Sequence, residues 1–187
     1  EYDITDIFLS HLHYDHIGGL AGKSHNYWEL TFPESKIWVS EGGWKKVTAL
    51  GTYYDDEKTE FIHFLDARAD LHFLDEEAHP YPEITVRKIG GHTEFSQLLL
   101  FESGKHKYMM AGDVLAARGK VNQKFAAKFD YDPERSMKLR EELTRKAYEE
   151  QFLILGYHDS EHPIFRLTDY EERRGYSIQS PEEHART

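Results

Sequence analysis

The stretch His11-Leu12-His13-Tyr14-Asp15-His16-Ile17-Gly18-Gly19 places three imidazoles and one carboxylate within six positions. It follows residues 4–10, an apolar and β-branched run that predicts a buried strand. The polar cluster therefore lies on the loop that leaves the carboxyl end of a strand, where open α/β sheets usually carry their sites. Gly18 and Gly19 allow the backbone to turn sharply before an expected helix.

The spacing of these side chains is typical of a metal site. His11 and His13 can chelate one ion, while Asp15 and His16, on the following turn, can face a second ion. A surface histidine cluster or a purification tag is the alternative, but tags are terminal and homopolymeric. Because this cluster is interleaved with aspartate and joined to a strand, the residues favour a two-metal site.

This motif resembles the signature of the metallo-β-lactamase superfamily, a His-x-His-x-Asp-His loop that follows a strand. The resemblance implies an α/β (α+β) fold, the four-layer αββα sandwich, as a single domain over residues 1–187. Members of the family place several strands ahead of the motif, whereas only ten residues precede His11 here. We therefore expect the N-terminal strands to be lacking, because the chain is a fragment, is completed by another chain or is trimmed. The polar tail, residues 170–187, is expected to fray.

The resemblance also implies where the other metal ligands lie. A Gly-His-Thr loop supplies the third histidine of the first metal, and Gly90-Gly91-His92-Thr93 matches it. The bridging carboxylate follows a strand and a glycine, which indicates Asp113. The last histidine follows another strand; His158 is preferred because it stands where an apolar run stops, and His162 is the alternative. The implied metal ligands are His11, His13, Asp15, His16, His92, Asp113 and His158.

The donor types indicate the chemistry. Neutral imidazoles and carboxylates suit Zn(II), and also Fe(II) or Mn(II). The resemblance implies two divalent ions, zinc foremost, and a metal-bound hydroxide that attacks a carbonyl or phosphoryl centre. Asp15 has two duties open to it, as a metal ligand and as the catalytic carboxylate that orients the hydroxide and moves a proton to the leaving group. The chain has no cysteine, which excludes a Cys-His mechanism.

Differences between this sequence and particular branches of the family reduce the number of candidate functions. The class B1 and B2 β-lactamases use a cysteine ligand, and the oxygen-reducing diiron branch carries glutamate where this chain has His13. The spacing is most similar to that of the lactonases and related ester hydrolases, although Ala116 stands where those lactonases have tyrosine. The favoured function is a dinuclear zinc hydrolase of a small ester, lactone or thioester. The alternatives are a phosphodiesterase or nuclease of the same superfamily and a non-catalytic metal-binding subunit.

Composition limits the partners. A chain of 187 residues with 39% hydrophobic content is long enough for one soluble domain with a real core. Its formal net charge of −11 disfavours a nucleic-acid substrate, since polyanion binding normally requires a basic surface. No apolar run has the length of a membrane span and no secretory signal stands at the start, so we expect no membrane partner and a cytoplasmic location. The expected partners are a small-molecule substrate and either a second copy, in a homo-oligomer, or the missing N-terminal segment.

The remaining patterns predict other elements. Asp132 and Pro133 are the expected cap and first residue of an amphipathic helix that runs on to residue 151. Ser40 is expected to cap a helix that reaches Leu50. The further expectations are strands at 36–39, 84–89 and 97–101, a loop at 53–58, and an ambiguous amphipathic stretch at 60–65.

Several aromatic residues have two interpretations. Tyr14 and Tyr157 stand beside predicted ligands and could contact substrate, although packing is the more common role of such residues. Four other aromatics could form an apolar wall of the substrate site or core packing under a loop: Tyr53, Tyr54, Phe61 and Phe64.

Overall fold

The computed structural model describes residues 1–49 and 56–180. The chain divides into two compact units, Glu1–Glu76 and Glu77–Thr187, and each has its own sheet and hydrophobic core. Whether the chain is the single domain expected from the sequence stays a prediction. Among the helices of the described ranges, none combines the length and apolar character that a bilayer crossing requires.

The N-terminal unit is built on a three-stranded parallel sheet. In chain order its elements are β1 (Asp6–Phe8), α1 (Tyr14–Ile17), β2 (Ala21–Ser24), β3 (Tyr27–Leu30), β4 (Lys36–Ser40), α2 (Glu41–Ala49), α3 (Asp56–Arg68) and β5 (Asp70–Leu74). The order in the sheet is β1-β4-β5, while β2 and β3 form a separate hairpin.

The central strand β4 explains how this unit is packed. Ile37 and Val39 are buried from one face of the strand, as its apolar alternation predicts. On the other face, Trp38 Nε1 donates to Asp6 Oδ1 at 2.8 Å. At the end of β4, Ser40 Oγ accepts from the Gly43 backbone N–H at 3.4 Å, which confirms the predicted helix cap. The helix that follows is α2, and its expected last residue, Leu50, lies outside the described residues.

The C-terminal unit contains a seven-stranded mixed sheet. Its elements are β6 (Glu77–Tyr81), β7 (Ile84–Lys88), β8 (Gln97–Ser103), β9 (His106–Met110), α4 (Pro133–Glu149), β10 (Leu153–Leu155), β11 (Ile164–Glu171) and β12 (Gly175–Gln179). The strands lie in the order β12-β11-β10-β9-β8-β7-β6, and only β9 and β10 pair in parallel. That pair needs a crossover connection, which α4 provides.

The helix α4 begins as the sequence predicts. Asp132 accepts from the Arg135 backbone N–H at 2.9 Å and Pro133 occupies the first turn. Leu139, Leu143 and Ala147 recur at helical spacing and are buried in the core of this unit. The predicted strands at 84–89 and 97–101 are also confirmed, as β7 and β8.

Three expectations about local structure are wrong. No helix follows Gly18 and Gly19: α1 precedes them, and the chain enters β2 after a single 3-10 turn. His25 and Asn26 then close the β2–β3 hairpin with positive φ angles of 51° and 68°, the conformation that two-residue hairpin loops require.

The second correction concerns the loop expected at 53–58. The chain is helical from residue 56 onward, and residues 53–55 lie outside the described ranges.

The third correction concerns the expected fraying after residue 170. Residues 175–179 instead form β12, which pairs antiparallel with β11. Tyr176 and Ile178 of this strand pack against the core of the C-terminal unit. Residues 181–187 lie outside the described ranges. The broken pattern before residue 82 also contains β5 and β6, which the sequence did not predict.

Candidate metal centre

The first group of predicted ligands, here called the N-terminal cluster, comprises His11, His13, Asp15 and His16. It lies directly beyond β1, after Leu9 has made a last sheet hydrogen bond to the Trp38 carbonyl at 3.0 Å. His11 is buried, with 3% of its surface exposed. His13 and Asp15 are exposed, whereas the side chain of His16 is almost fully buried.

Two histidines of this cluster have the separation expected of ligands to one ion. His11 Nε2 lies 3.2 Å from His13 Nδ1, and the two rings meet edge to face. Two nitrogens that share a tetrahedral zinc at about 2.0–2.1 Å are about 3.3 Å apart, so this spacing fits the ion. Ser10 Oγ lies 3.1 Å from His11 Nδ1 and supports the other edge of the ring.

The second predicted pair is also adjacent. The His16 ring lies against the His11 ring at a tilt of 48°, with the ring centroids 4.0 Å apart. Its Nε2 lies 3.5 Å from an oxygen of Asp15, whose side chain is 58% exposed. Asp15 is therefore both next to a predicted ligand and accessible to solvent, which suits a group that exchanges protons.

The second group, here called the C-terminal cluster, comprises His92, Asp113 and His158. His92 follows β7 on a loop in which Gly90 and Gly91 have φ angles of 70° and 85°. A side chain at Gly91 would lie 3.0 Å from Ser136 Oγ, so glycine is needed for both its φ angle and the close approach to α4. Asp113 lies in the 3-10 turn after β9.

Asp113 presents a different oxygen to each histidine of the C-terminal cluster. Its Oδ2 lies 3.5 Å from His92 Nε2, and its Oδ1 lies 3.2 Å from His158 Nε2. This is the arrangement that a carboxylate bridging two ions needs. The contact of its Nε2 with Asp113 favours His158 over the alternative ligand, His162, whose backbone N–H donates to Asp159 Oδ1 at 3.0 Å.

Sequence reasoning missed one carboxylate of this site. Asp130 Oδ1 lies 2.8 Å from His92 Nδ1, and both side chains are almost fully buried. Because an ionised carboxylate only accepts hydrogen bonds, Nδ1 carries the proton and Nε2 is left as the ligand atom facing Asp113. No signal in the local sequence marks Asp130, which stands two residues before the Asp132 cap. In the structure, the neighbouring Tyr131 N–H donates to the His92 carbonyl at 3.0 Å.

An ion pair fixes the segment around His158. Arg118 Nε and Nη2 donate to the two oxygens of Asp159 at 2.9 and 3.2 Å, and the Arg118 backbone N–H adds a bond of 3.0 Å. The hydrogen bond from Arg118 holds the pKa of Asp159 far below its usual range. His158 N–H donates to the Ala116 carbonyl at 2.9 Å. His158 and Asp159 are therefore both anchored to residues 116–118, which follow Asp113 in the sequence.

A buried guanidinium supports the Asp113 turn from the other side. Arg140 Nε donates to the Val114 carbonyl at 3.0 Å, and its Nη1 donates to the Phe125 carbonyl at 2.8 Å. Burial lowers the pKa of Arg140 from its ordinary value, and the carbonyl acceptors offset that cost. Arg140 thus ties α4 to the residue next to Asp113.

Comparisons with known proteins identify the family and the fold. The sequence model of the metallo-beta-lactamase superfamily matches residues 1–158. A probable metal-dependent hydrolase from Staphylococcus aureus is similar in structure, with a TM-score of 0.74 and 20% identity over 97% of this chain. AidC, a dizinc quorum-quenching lactonase, has a TM-score of 0.73 and 20% identity over 96% of this chain. AiiA of B. thuringiensis, with N-decanoyl-L-homoserine at its active site, has a TM-score of 0.60 and 19% identity over 85% of this chain.

At these identities the likeness shows the fold, and it confirms the expected fold class. The chain spans 64% of the length of the S. aureus hydrolase, 65% of AidC and 57% of AiiA. None of the curated proteins compared with the chain matches it by sequence.

Proposed function

Because the chain belongs to the metallo-β-lactamase superfamily, we propose that it is a metal-dependent hydrolase with two divalent ions. Zn(II) is the preferred ion, and Fe(II) or Mn(II) are alternatives that the same donors accept. The observation that carries the proposal is the position of Asp113, which offers one oxygen to His92 and the other to His158. The proposed ligands are His11, His13, Asp15, His16, His92, Asp113 and His158.

The bound ions, Asp15 and Asp130 have different proposed roles in the reaction. Bound divalent ions would supply Lewis-acid polarisation of a substrate oxygen and a lowered pKa for water. Asp15 is the proposed catalytic carboxylate, because it is exposed and can pass a proton to a leaving group. Asp130 holds the His92 ring in one orientation and one tautomer.

The proposed substrates are small esters, lactones or thioesters. Support comes from two structural neighbours: AidC, described as a dizinc quorum-quenching lactonase, and AiiA, described with N-decanoyl-L-homoserine bound at its active site. Ala116 provides no phenol at the position where lactonases of the family carry tyrosine. It is buried, and its carbonyl accepts from His158. Substrate must therefore be oriented by other groups, which favours the broad ester class over lactones alone.

Metal content and turnover test this proposal together. We expect about two equivalents of zinc per chain in tag-free wild type. Asp113→Ala should hold about one equivalent or less. The matched control is Asp75→Ala, which removes an exposed carboxylate between β5 and β6 and should keep the wild-type metal content.

The same proteins are assayed with 4-nitrophenyl acetate and with bis(4-nitrophenyl) phosphate. Wild type should hydrolyse the ester, and Asp113→Ala should lose about 100-fold or more of kcat/KM. If the wild-type protein still contains no metal after zinc has been added back, the metal assignment is contradicted. Turnover of the phosphodiester alone would contradict the substrate class.

A further inference from the structure

Two aromatic side chains stand beside the histidines of the C-terminal cluster. The Phe129 ring meets the His92 ring edge to face, with centroids 6.2 Å apart and an interplanar angle of 87°. The Tyr157 ring meets the His158 ring in the same way, at 5.1 Å and 80°. Each histidine that contacts Asp113 therefore has its own aromatic neighbour.

Both rings are largely open to solvent. Phe129 is 77% exposed and Tyr157 is 52% exposed. A single exposed aromatic residue needs no explanation, but two that flank the same proposed metal site indicate a shared role. Because most of the Phe129 ring is left in water, its packing contributes little to folding and its surface is open to a ligand.

Hydrogen bonds fix the chain that carries Phe129. Asp130 accepts from His92 Nδ1 at 2.8 Å, and the Tyr131 N–H donates to the His92 carbonyl at 3.0 Å. The two residues that follow Phe129 are therefore both joined to His92. These bonds keep the exposed ring beside this proposed ligand.

The chain on both sides of Tyr157 is also fixed. The Gly156 N–H donates to the Pro163 carbonyl at 2.8 Å, and the His158 N–H donates to the Ala116 carbonyl at 2.9 Å. An added Cβ at Gly156 would lie 3.0 Å from the Ala116 oxygen, so the two chains pack closely here. Of the two interpretations of Tyr157, its exposure favours contact with substrate over packing.

We propose that Phe129 and Tyr157 are two aromatic walls of the substrate site and that they select substrates whose acyl group carries an apolar ring or chain. Aromatic walls bind apolar groups by removing their surface from water, and they bind other rings with an additional gain from ring geometry. The walls are assigned to the acyl group because it is the part that esters, lactones and thioesters share. The inference rests on the proposed hydrolase function and narrows its substrates to derivatives of apolar carboxylic acids.

Binding of two hydroxamic acids tests the walls without any turnover. A hydroxamate binds a metal ion through two oxygens, as an acyl substrate analogue that is not a substrate of the reaction. The probes are acetohydroxamate and phenylacetohydroxamate, which differ by one phenyl ring, titrated by calorimetry into zinc-loaded protein. We expect wild type to bind phenylacetohydroxamate about tenfold tighter than acetohydroxamate.

Variants that remove or keep each ring decide whether the walls are responsible. Phe129→Ala and Tyr157→Ala should each reduce the preference to about threefold, and the double variant should abolish it. Phe129→Tyr and Tyr157→Phe keep a ring and should keep the preference. The matched control is Phe125→Ala, from the same loop: Phe125 is 67% exposed and, among the described residues, makes no ring contact with a proposed ligand.

Acetohydroxamate has no apolar ring, so its affinity reports on the metal site and should be the same in all these proteins. An equal loss of affinity for both probes in the alanine variants would show that the rings support the ligand histidines instead, and would overturn the proposal. Equal binding of both probes by wild type would overturn it as well. If neither probe binds, the metal site is absent, and the proposed function fails together with the inference.

A pair of esters connects the walls to catalysis. The 2,2,2-trifluoroethyl esters of acetic and phenylacetic acid have the same leaving group and differ in the acyl group. The double alanine variant should lower kcat/KM about tenfold for the phenylacetate and leave the acetate value unchanged. An equal loss on both esters would overturn the specificity role. Selective binding of phenylacetohydroxamate without hydrolysis of either ester would contradict the proposed function and support the walls.

Discussion

At the scale of single residues, one buried carboxylate controls the orientation of a proposed ligand. Asp130 accepts from His92 Nδ1 at 2.8 Å, and both side chains are almost fully buried. Removing the charge but not the shape, with Asp130→Asn, weakens the preference for the tautomer that directs Nε2 toward Asp113. We expect zinc affinity to fall about 10–100-fold, the range typical of such outer carboxylates.

A competition titration with a zinc chelator measures this change. The matched control is Asp132→Asn, the same substitution two residues further on. Asp132 caps α4, and asparagine is an equally good cap, so the control should keep wild-type affinity. Wild-type affinity in Asp130→Asn would mean that this carboxylate only packs against His92.

At the scale of elements, β12 depends on a glycine and on a distant side chain. Gly175 has a φ of +81°, and a Cβ built there would overlap the Asn122 amide. That amide accepts from the Tyr176 N–H and donates to the Tyr176 carbonyl, both at 2.9 Å, as a neighbouring strand would. Gly175→Ala should therefore lower the free energy of unfolding by about 2–3 kcal/mol, through backbone strain and a lost contact.

Gly104→Ala separates the two causes. Gly104 also has a positive φ, of 59°, but nothing lies within 4 Å of an added Cβ. It should cost only the strain, about 1 kcal/mol. Urea unfolding of the two variants measures the difference, and equal losses would show that the Asn122 contact contributes nothing to β12.

β12 also shows which parts of the fold could not be predicted from the sequence. β7, β8 and α4 could be predicted because their apolar spacing and the Asp132 cap are local signals. β12 could not, since its polar segment becomes a strand through partners in β11 and through Asn122, which lies 54 residues earlier.

The candidate site divides in the same way. The N-terminal cluster could be predicted because its four residues lie within six consecutive positions, 11–16. His92, Asp113 and His158 were identified only through the family resemblance. Asp130 could not be predicted, because it contacts His92 across a separation of 38 residues. No local pattern marks a buried carboxylate that orients another side chain.

At the scale of the whole molecule, charge and metal binding are linked. The chain carries a formal charge of −11, so two divalent cations would reduce repulsion as well as add ligand bonds. Each compact unit carries proposed ligands. Metal should therefore stabilise each unit, and a probe in each can report it.

The N-terminal unit reports through tryptophan, because all three tryptophans, Trp28, Trp38 and Trp44, lie within it. Hydrogen exchange of β8 and β9 reports on the C-terminal unit. At free zinc about 100 times its Kd, we expect the tryptophan melting transition to rise by roughly 5–10 °C. The exchange of β8 and β9 should slow in parallel, and EDTA should reverse both changes. Magnesium at the same concentration is the control, since it takes oxygen ligands in octahedral geometry and should move neither signal. A rise in the tryptophan transition without slower exchange in β8 and β9 would remove the C-terminal cluster from the ligand set.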